Sequence, residues 1–481
     1  MKKIIYTIAI FAFTFASCTK DFEEINTNQN SPVSIQPSLL LRQVIYDFGE
    51  QMSYEGFAAG NLLSQHTALL DFNLFDRHDL KSPQLGGNPW PIFYTNLRDN
   101  EILLKQSKQA PAFAVYEGPA FILKAYMAAG LTDIFGDVPY FDAFNGIEGS
   151  AKPKYDLQED IYLNENGILD NLDKGIAAIN AYAGSIPLEG DILFNGNLDN
   201  WIQFANSLKI KYLIRISGKV DVSVQLQTIF DEGNYIRNNT ENAVFSFSNT
   251  APNNFRFAQL REGDFTNFVM SETAEEIFKD LNDARISTFY RAFANSNSSE
   301  FNGLINGINA STTTPSPDDY SLAGTIFREN TAALDAIFMT AWETNFLLAE
   351  AAEKGFITTN AATLYNSGVT QAFDYWNTNL PATYLAGNAN LNAVGKTPLE
   401  QIITQKWIAN SMNGYESWIE YRRTGLPTLK NVAASLNNGL IPVRMPYPAD
   451  AAALNAENYK IAETATNGNS LDVKVWWDSL P

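Results

Sequence analysis

The side chains that could perform chemistry are few, and their spacing matches no familiar catalytic or metal-binding pattern. The chain has 481 residues but only two histidines and one cysteine. His66 and His78 lie twelve residues apart, do not share a helical face, and have no second cysteine to complete a zinc-type set. A Ser-His-Asp arrangement cannot be assembled around them either. We interpret both histidines as ordinary polar residues.

Carboxylates are abundant, and glycoside hydrolysis needs only two of them at a defined separation. Among the 53 acidic residues, Glu350 and Glu353 are three apart in the alanine-rich helical segment "LLAEAAEKG". We interpret this pair as solvated or capping residues. No glycine-rich phosphate loop occurs, and "DNLDKG" (170–175) lacks the ligand spacing of a calcium loop. The sequence therefore predicts no enzyme, no metal site and no cofactor, with a glycoside hydrolase left open as an alternative.

Aromatic side chains are the better candidates for contact with a ligand. They make up 13% of the chain: 32 Phe, 21 Tyr and 8 Trp. Most must be core, but some lie in irregular polar segments beside amide and guanidinium groups. A flat ring flanked by hydrogen-bond donors suits a sugar, whose C–H face stacks and whose hydroxyls need partners. We predict ligand contacts from Phe72, Asn73, Phe75, Arg77, Trp90, Asn254, Phe255, Arg256 and Tyr320, with Phe257 and Phe265 in the same setting.

Trp90 is the ambiguous member of this set. It falls near a variable loop, but in "NPWPIFYTNL" it also begins a helix.

The surface charge limits the partners of the whole chain: the formal net charge is −20 and no run of Lys or Arg interrupts it. Such a surface repels phosphate backbones, so we predict no nucleic-acid partner.

The N-terminus has the layout of a secretory signal that ends at a cysteine. Basic Lys2 and Lys3 precede an apolar run, residues 4–15, that is too short to span a bilayer. Small residues then stand directly before Cys18, as in the lipobox of bacterial lipoproteins. A lone cysteine cannot form an internal disulfide. We predict a signal peptide at 1–17, an acylated Cys18 that begins a flexible tether (18–31), and a folded domain at 32–481.

The elements that must position these residues are mainly helices. Apolar residues recur every three to four positions in "PSLLLRQVIYDFGEQM", "AFILKAYMAAGLTDIF", "ENGILDNLDKGIAAINAY", "NWIQFANSLKIKYLIRIS" and "AWETNFLLAEAAEKGF". Residues 242–268 and 295–330 depart from this pattern and are rich in Asn, Ser, Thr and aromatic residues. Loops as long as 295–330 are usually functional or disordered. The sequence predicts a predominantly α-helical fold, although no internal repeat is readable.

Several stretches together resemble the SusD/RagB-like family of outer-membrane lipoproteins, in particular its SusD-like, starch-binding-associated branch. They occur in the family's order and cover nearly the whole mature chain. They are "CTKDFEEINTNQNSP", "AYMAAGLTDIFGDVPYFDAF", "FNGNLDNWIQFANSLKIKYLIRIS", "ETNFLLAEAAEKGF", "IITQKWIANSMNGYESWIEYRRTGLP", "RMPYP", "NAENY" and "VWWD". One departure is "NDAR" (282–285), where the family often has Asn-Asp-Pro-Arg.

The resemblance implies four tetratricopeptide-like helix pairs and a less regular portion that carries the ligand site. It also implies a non-catalytic, ligand-binding function. Such proteins are displayed on the outer membrane by a lipid anchor, capture oligosaccharides, and deliver them to a SusC-like TonB-dependent transporter. Two alternatives stay open beside glycan binding: the same architecture with a peptide ligand, and a purely structural helical scaffold.

Overall fold

Helices form most of the structure, a computed structural model that describes residues 35–82, 85–146, 151–295, 300–313, 315–478 and 480. The predicted signal peptide, Cys18 and the tether lie outside the described residues. The first α-helices are α1 Pro37–Glu55, α2 Asn61–Leu63, α3 Trp90–Ser107, α4 Glu117–Phe135, α5 Gln158–Leu163, α6 Ile168–Ala181, α7 Leu198–Ile216 and α8 Ser223–Glu232. A five-residue π-helix, Gly56–Gly60, joins α1 to α2.

The second half of the chain contains shorter helices and most of the irregular structure. Its α-helices are α9 Glu262–Phe265, α10 Glu272–Leu281, α11 Ile286–Phe289, α12 Ala341–Glu353, α13 Ala361–Tyr375, α14 Pro398–Ala409, α15 Glu416–Thr424, α16 Ala449–Leu454 and α17 Ala456–Ala465. The strands are β1 Thr67–Leu69, β2 Ala243–Ser246, β3 Phe268–Met270 and β4 Asp335–Met339. The predominantly α-helical fold predicted from the apolar spacing is confirmed.

Local sequence explains where the long helices begin and end. The Thr340 hydroxyl caps α12 by accepting from the Glu343 amide, and Thr397 forms a reciprocal capping box with Glu400 at the start of α14. α15 ends at Gly425, whose φ of +72° is the left-handed conformation that glycine adopts without strain. The long helices pack mainly on their sequence neighbours: α3 on α1 and α4, α6 on α4 and α7, and α12 on α13 and α14.

A group of ionised side chains, the buried charge cluster, lies where α4, α7, α12, α14 and α15 meet. Lys211 reaches Glu343 at 2.9 Å and Glu416 at 3.0 Å, and Arg423 grips Glu350 through two contacts of 2.6 and 2.7 Å. The other members are Asp133, Arg215, Lys406 and Glu420. All nine residues are buried, so the pairs are shielded from water and hold the helices together through charge.

Glu350 corrects one interpretation from the sequence. The alanine-rich segment suggested a solvated or capping carboxylate, but Glu350 has no exposed surface and is paired with Arg423 and Lys354. Burial opposes its charged form, yet these two cations outweigh burial and hold the pKa of Glu350 below its ordinary value. Glu353, three residues on, is exposed. The two carboxylates are therefore in different environments and do not form a catalytic pair.

Two small antiparallel sheets support the irregular part of the molecule. β1 pairs with β3, with Thr67 opposite Met270, and β2 pairs with β4. Described residues of the long segment 295–330 contact the first sheet, where Leu322 bridges to Val269. Its described residues contain single turns of 3₁₀-helix and no α-helix or named strand. Within the described ranges, no helix is both long enough and apolar enough to cross a bilayer.

Candidate functional site

Several aromatic residues expected to meet a ligand are packed in the interior. Phe255, Phe257 and Phe265 are at most 1% exposed and surround Phe57, with ring centroids 6.2, 4.6 and 6.1 Å away. Phe75 is 4% exposed. These four side chains present no ring face to a sugar in this structure. The π-helix Gly56–Gly60 places Phe57 among the first three rings, whereas the Phe75 ring lies against Gly87.

The amides and the arginine near these rings mainly fix the loops. Asn73 is buried and donates to the Ile308 carbonyl at 2.7 Å, and buried Asn254 accepts from Gln259 at 2.9 Å. Arg77 donates through Nε to the Ala434 carbonyl at 2.8 Å. Asn73 and Arg77 thus tie the 70–80 segment to distant parts of the chain, whereas the Asn254 contact is local to the 254–260 segment.

Arg256 occupies a separate surface. Its Nε lies 2.9 Å from Glu50 Oε1 on α1, and its guanidinium carbon is 4.8 Å from the centre of the Tyr54 ring. Its side chain is 45% exposed. Arg256 lines neither of the two clefts that contain Phe72 and Trp90.

The first of these, the Phe72 cleft, has a volume of about 420 Å³. It is lined by Asp71, Phe72, Leu85, Arg261, Gly263, Asp264 and Asn267. Phe72 is 71% exposed, and its φ of +49° lies in the left-handed region that a bulky residue seldom adopts. An exposed aromatic ring held in a costly backbone conformation is typical of a binding site.

Asn267 holds Phe72 in place through what we call the Asn267 clamp. Its Nδ2 donates to the Asp71 carbonyl at 2.6 Å, while its Oδ1 accepts from the Asp71 amide at 2.7 Å. The Asp71 carboxylate in turn accepts from the Phe72 amide at 2.7 Å. Since Asn267 directly precedes β3 and Asp71 follows β1, the small sheet positions the Phe72 ring.

The rim of the Phe72 cleft supplies hydrogen-bonding groups. Arg261 pairs with Asp264 through contacts of 3.0 and 3.2 Å, and its side chain is 87% exposed. A guanidinium has five N–H donors, and this ion pair uses two of its nitrogens. The cleft therefore combines an aromatic face with free donors and carboxylate acceptors, which is the chemistry that a sugar requires.

Tyr320 lies beside the same sheet without lining the Phe72 cleft. It is half-buried on a small apolar group formed by Ala68, Leu70, Val269, Leu304 and Ile308. Burial raises the pKa of the Tyr320 hydroxyl, and the carboxylates of Asp319 and Glu272 raise it further. The hydroxyl therefore stays protonated and able to donate a hydrogen bond at neutral pH.

Trp90 lies in the second cleft, the Trp90 cleft, whose volume is about 440 Å³. Its half-buried ring packs edge-on against Phe135 at 4.9 Å and lies 6.1 Å from the ring of Tyr447. The lining also includes half-buried Tyr459. Its polar lining residues are Lys81, Asn88, Asp450, Glu463 and Asn469. The structure thus separates Trp90 from Phe72 and places each in its own cleft.

Sequence reasoning missed the polar half of the Phe72 cleft. Arg261, Asp264 and Asn267 stand in "LREGDFTNF" without a motif, and only pairing with the 67–72 segment brings them to Phe72.

His66 and His78 are buried, and burial lowers the pKa of His66 to about 3 and that of His78 to about 4. In the described part of the chain, no group of three or more His, Cys, Asp or Glu side chains could hold a metal ion.

A protein-family model described as "Starch-binding associating with outer membrane" (SusD-like) matches residues 28–448. The chain belongs to this SusD-like family. Its resemblance to the family, carried in the sequence by the ordered motifs, is confirmed. No curated protein matches the chain significantly.

Solved structures of SusD homologues share the fold over nearly the whole chain. One described as a chitin-binding protein has a TM-score of 0.78 at 25% identity, covering 92% of this chain and 100% of that one. A SusD homologue from Bacteroides fragilis has a TM-score of 0.78 at 21% identity, with coverages of 92% and 100%. A chitin-binding SusD homologue from Flavobacterium johnsoniae has a TM-score of 0.75 at 22% identity, with coverages of 92% and 98%.

Proposed function

We propose that this protein is a surface-exposed outer-membrane lipoprotein that binds an oligosaccharide in the Phe72 cleft, without catalysis, and delivers it to a SusC-like TonB-dependent transporter. The observation that carries the proposal is the Phe72 ring, which is 71% exposed and fixed by the Asn267 clamp. A soluble surface gains nothing from a large exposed ring in a left-handed backbone conformation. A sugar face stacked on that ring would account for both features.

The first ligand to test is a chito-oligosaccharide. One similar structure at 25% identity is described as a chitin-binding protein, and the family description names starch. The rim of the Phe72 cleft carries one guanidinium, two carboxylates and one amide, from Arg261, Asp71, Asp264 and Asn267. This mixture of donors and acceptors favours a neutral, hydroxyl-rich chain over an ion of either sign.

Isothermal titration calorimetry with chitohexaose, maltohexaose and a basic peptide tests the binding site. We expect a hexaose to bind the wild-type protein and Phe72→Ala to weaken that binding about tenfold, which corresponds to about 1.4 kcal/mol. The matched control is Val224→Ala, since Val224 is 77% exposed and lies on α8, outside both clefts. The control should bind like the wild type, and both variants should keep the wild-type melting temperature.

Three results would contradict the proposal in different ways. Binding of the basic peptide and of no glycan would establish the peptide alternative, for which the net charge of −20 gives a physical basis. Shortened sugars in the chromatogram after incubation with a hexaose would establish a glycosidase. Hexaose binding that is unchanged in Phe72→Ala would move the site away from the Phe72 cleft.

The anchor and the partner are tested in the native membrane. Cys18→Ala should release the protein from membranes while its circular dichroism spectrum stays that of the wild type, because acyl chains provide the membrane affinity. Retention of Cys18→Ala on membranes of cells that lack the transporter would overturn the lipid anchor.

Affinity purification of the tagged wild-type chain from outer membranes should recover a TonB-dependent transporter, and its absence would overturn the partnership.

A further inference from the structure

We propose that the Trp90 cleft is a second glycan subsite and that one long oligosaccharide occupies it together with the Phe72 cleft. This inference rests on the proposed function. The two clefts border the same short segment, residues 85–90, which we call the strip. Leu85 lines the Phe72 cleft, and Gly87 to Trp90 line the Trp90 cleft. Because consecutive Cα atoms are about 3.8 Å apart, the two linings approach within about 8 Å along the chain.

The aromatic content of the Trp90 cleft suits a sugar. Six of the eight tryptophans are buried, and only Trp90 and Trp476 keep partly exposed rings. Trp90 is held at the start of α3 by edge contact with Phe135, and half-buried Tyr459 lines the same cleft. Of the two partly exposed indoles, Trp90 is the one that lines this cleft, where its ring and that of Tyr459 can contact a sugar face.

The polar residues of this cleft are of two kinds: a buried, hydrogen-bonded asparagine at the base and exposed side chains at the rim. Asn469 is buried, accepts from the Tyr447 amide at 2.8 Å and donates to the Tyr447 carbonyl at 2.9 Å. Lys81, Asn88 and Asp450 are exposed. The rim therefore offers an ammonium, an amide and a carboxylate, which can hydrogen-bond sugar hydroxyls but do not add up to a strong site for an ion.

The strip between the clefts is held by a hydrogen bond and by close packing against the core. The Gly87 amide donates to the buried Glu55 carboxylate at 2.8 Å. A Cβ on Gly86 would lie 2.7 Å from the Cβ of Ala58, and one on Gly87 would lie 2.3 Å from the Phe75 ring. Two rigidly spaced weak sites bind a chain that spans both of them with an affinity well above that of either site alone.

Tryptophan fluorescence and calorimetry with chitobiose and chitohexaose test this arrangement. We expect the wild type to bind one chitohexaose at least about tenfold more tightly than chitobiose, because the longer chain gains the second cleft. Chitohexaose should change the tryptophan emission. Trp90→Phe should abolish that change and lower the chitohexaose affinity by about tenfold, while keeping the affinity for chitobiose that the Phe72 cleft provides.

Two further variants separate binding from folding. Trp476→Phe removes the other partly exposed indole and should leave the fluorescence change and both affinities as in the wild type. Asn88→Ala changes an exposed rim residue and should lower chitohexaose affinity without lowering the melting temperature, which keeps the test decisive if Trp90→Phe folds poorly. Equal chitohexaose affinities in the wild type, Trp90→Phe and Asn88→Ala would overturn the second subsite while leaving the proposed function standing. Absence of binding of either sugar to the wild type would contradict a chito-oligosaccharide ligand and, with it, this inference.

Discussion

The ring of Phe75 lies directly beneath Gly87. Gly87 has a φ of +92°, and a Cβ built on it would lie 2.3 Å from Cε2 of Phe75. Phe75 is 4% exposed, so it is a support for the strip between the two clefts. The sequence placed Phe75 among the ligand contacts, whereas the structure places it one layer below the surface that meets solvent.

Gly87→Ala should therefore destabilise the protein more than the backbone conformation alone explains. The matched control is Gly395→Ala, because Gly395 has a φ of +81° and no atom within 4 Å of a built Cβ. We expect Gly395→Ala to cost about 1 kcal/mol for its left-handed backbone and Gly87→Ala to cost about 1–3 kcal/mol more for overpacking against Phe75. Urea unfolding of both variants measures the difference. Equal losses would show that the Phe75 ring moves aside without cost.

The sequence predicts the helical scaffold well because apolar spacing is a local property. It does not distinguish Phe72 from Phe255, since both stand in loops rich in Asn and aromatic residues. Phe72 is 71% exposed and Phe255 is fully buried because Phe57, from a distant helix, packs against Phe255. Glu350 is missed for the same reason: its partner Arg423 comes from a helix far along the chain. Burial that depends on distant partners leaves no local pattern.

Asn267→Ala should weaken glycan binding without removing any group that would stack on the sugar. The Asn267 clamp fixes the Asp71 backbone through hydrogen bonds of 2.6 and 2.7 Å. Without these two hydrogen bonds, the backbone at Asp71 and Phe72 is less restrained. Binding then includes the free-energy cost of ordering this loop. We expect the affinity for chitohexaose to fall about threefold to tenfold, or ~0.7–1.4 kcal/mol. Titration calorimetry measures it.

Thr266→Ala is the control for this prediction, because Thr266 is the adjacent residue and its hydroxyl contacts only the Gly263 carbonyl, at 3.4 Å. It should bind chitohexaose like the wild type. If Asn267→Ala also binds like the wild type, the loop holds Phe72 without the Asn267 clamp.

The buried charge cluster should make the protein sensitive to acid. Burial opposes ionisation of Glu350, Glu416 and Glu420, but the surrounding Arg and Lys side chains outweigh it and lower the pKa of each. The folded protein thus binds fewer protons than the unfolded chain, whose Glu pKa is about 4.3. Their stabilisation is fully present above that pH and is lost as the pH falls through the lower folded values. Urea unfolding midpoints measured down to about pH 3 should fall below about pH 4.5.

Removing one charge from this cluster tests its energetic role at neutral pH. Glu350→Gln leaves Arg423 with a weakened partner in a buried site and should cost roughly 3 kcal/mol. Glu353→Gln, on the exposed side of the same helix, should change stability by less than about 0.5 kcal/mol. Equal midpoints for the two variants in urea unfolding would mean that Glu420 alone satisfies Arg423.

Asp76 should give the opposite pH dependence, and it links the Phe72 loop to the long irregular segment. Its buried carboxylate accepts from Asn306 Nδ2 at 2.6 Å and from the amides of Gly307 and Leu69 at 2.8 and 3.1 Å. Burial outweighs these hydrogen bonds and raises the pKa of Asp76 to about 6. The folded state therefore binds more protons than the unfolded state between about pH 4 and about pH 6, and the stability from this group declines as the pH rises through that window.

Asp76→Asn removes the titration and places an amide against one of the three donors, so it should cost about 1–3 kcal/mol and flatten the decline between about pH 4 and about pH 6. Asp79→Asn is the control, since Asp79 is a half-buried acid in the same loop. Hydrogen exchange should show the amides of Gly307 and Leu69 losing protection in Asp76→Asn and keeping it in Asp79→Asn. Unchanged exchange in Asp76→Asn would show that the β1–β3 sheet and its neighbours hold the two loops together without this carboxylate.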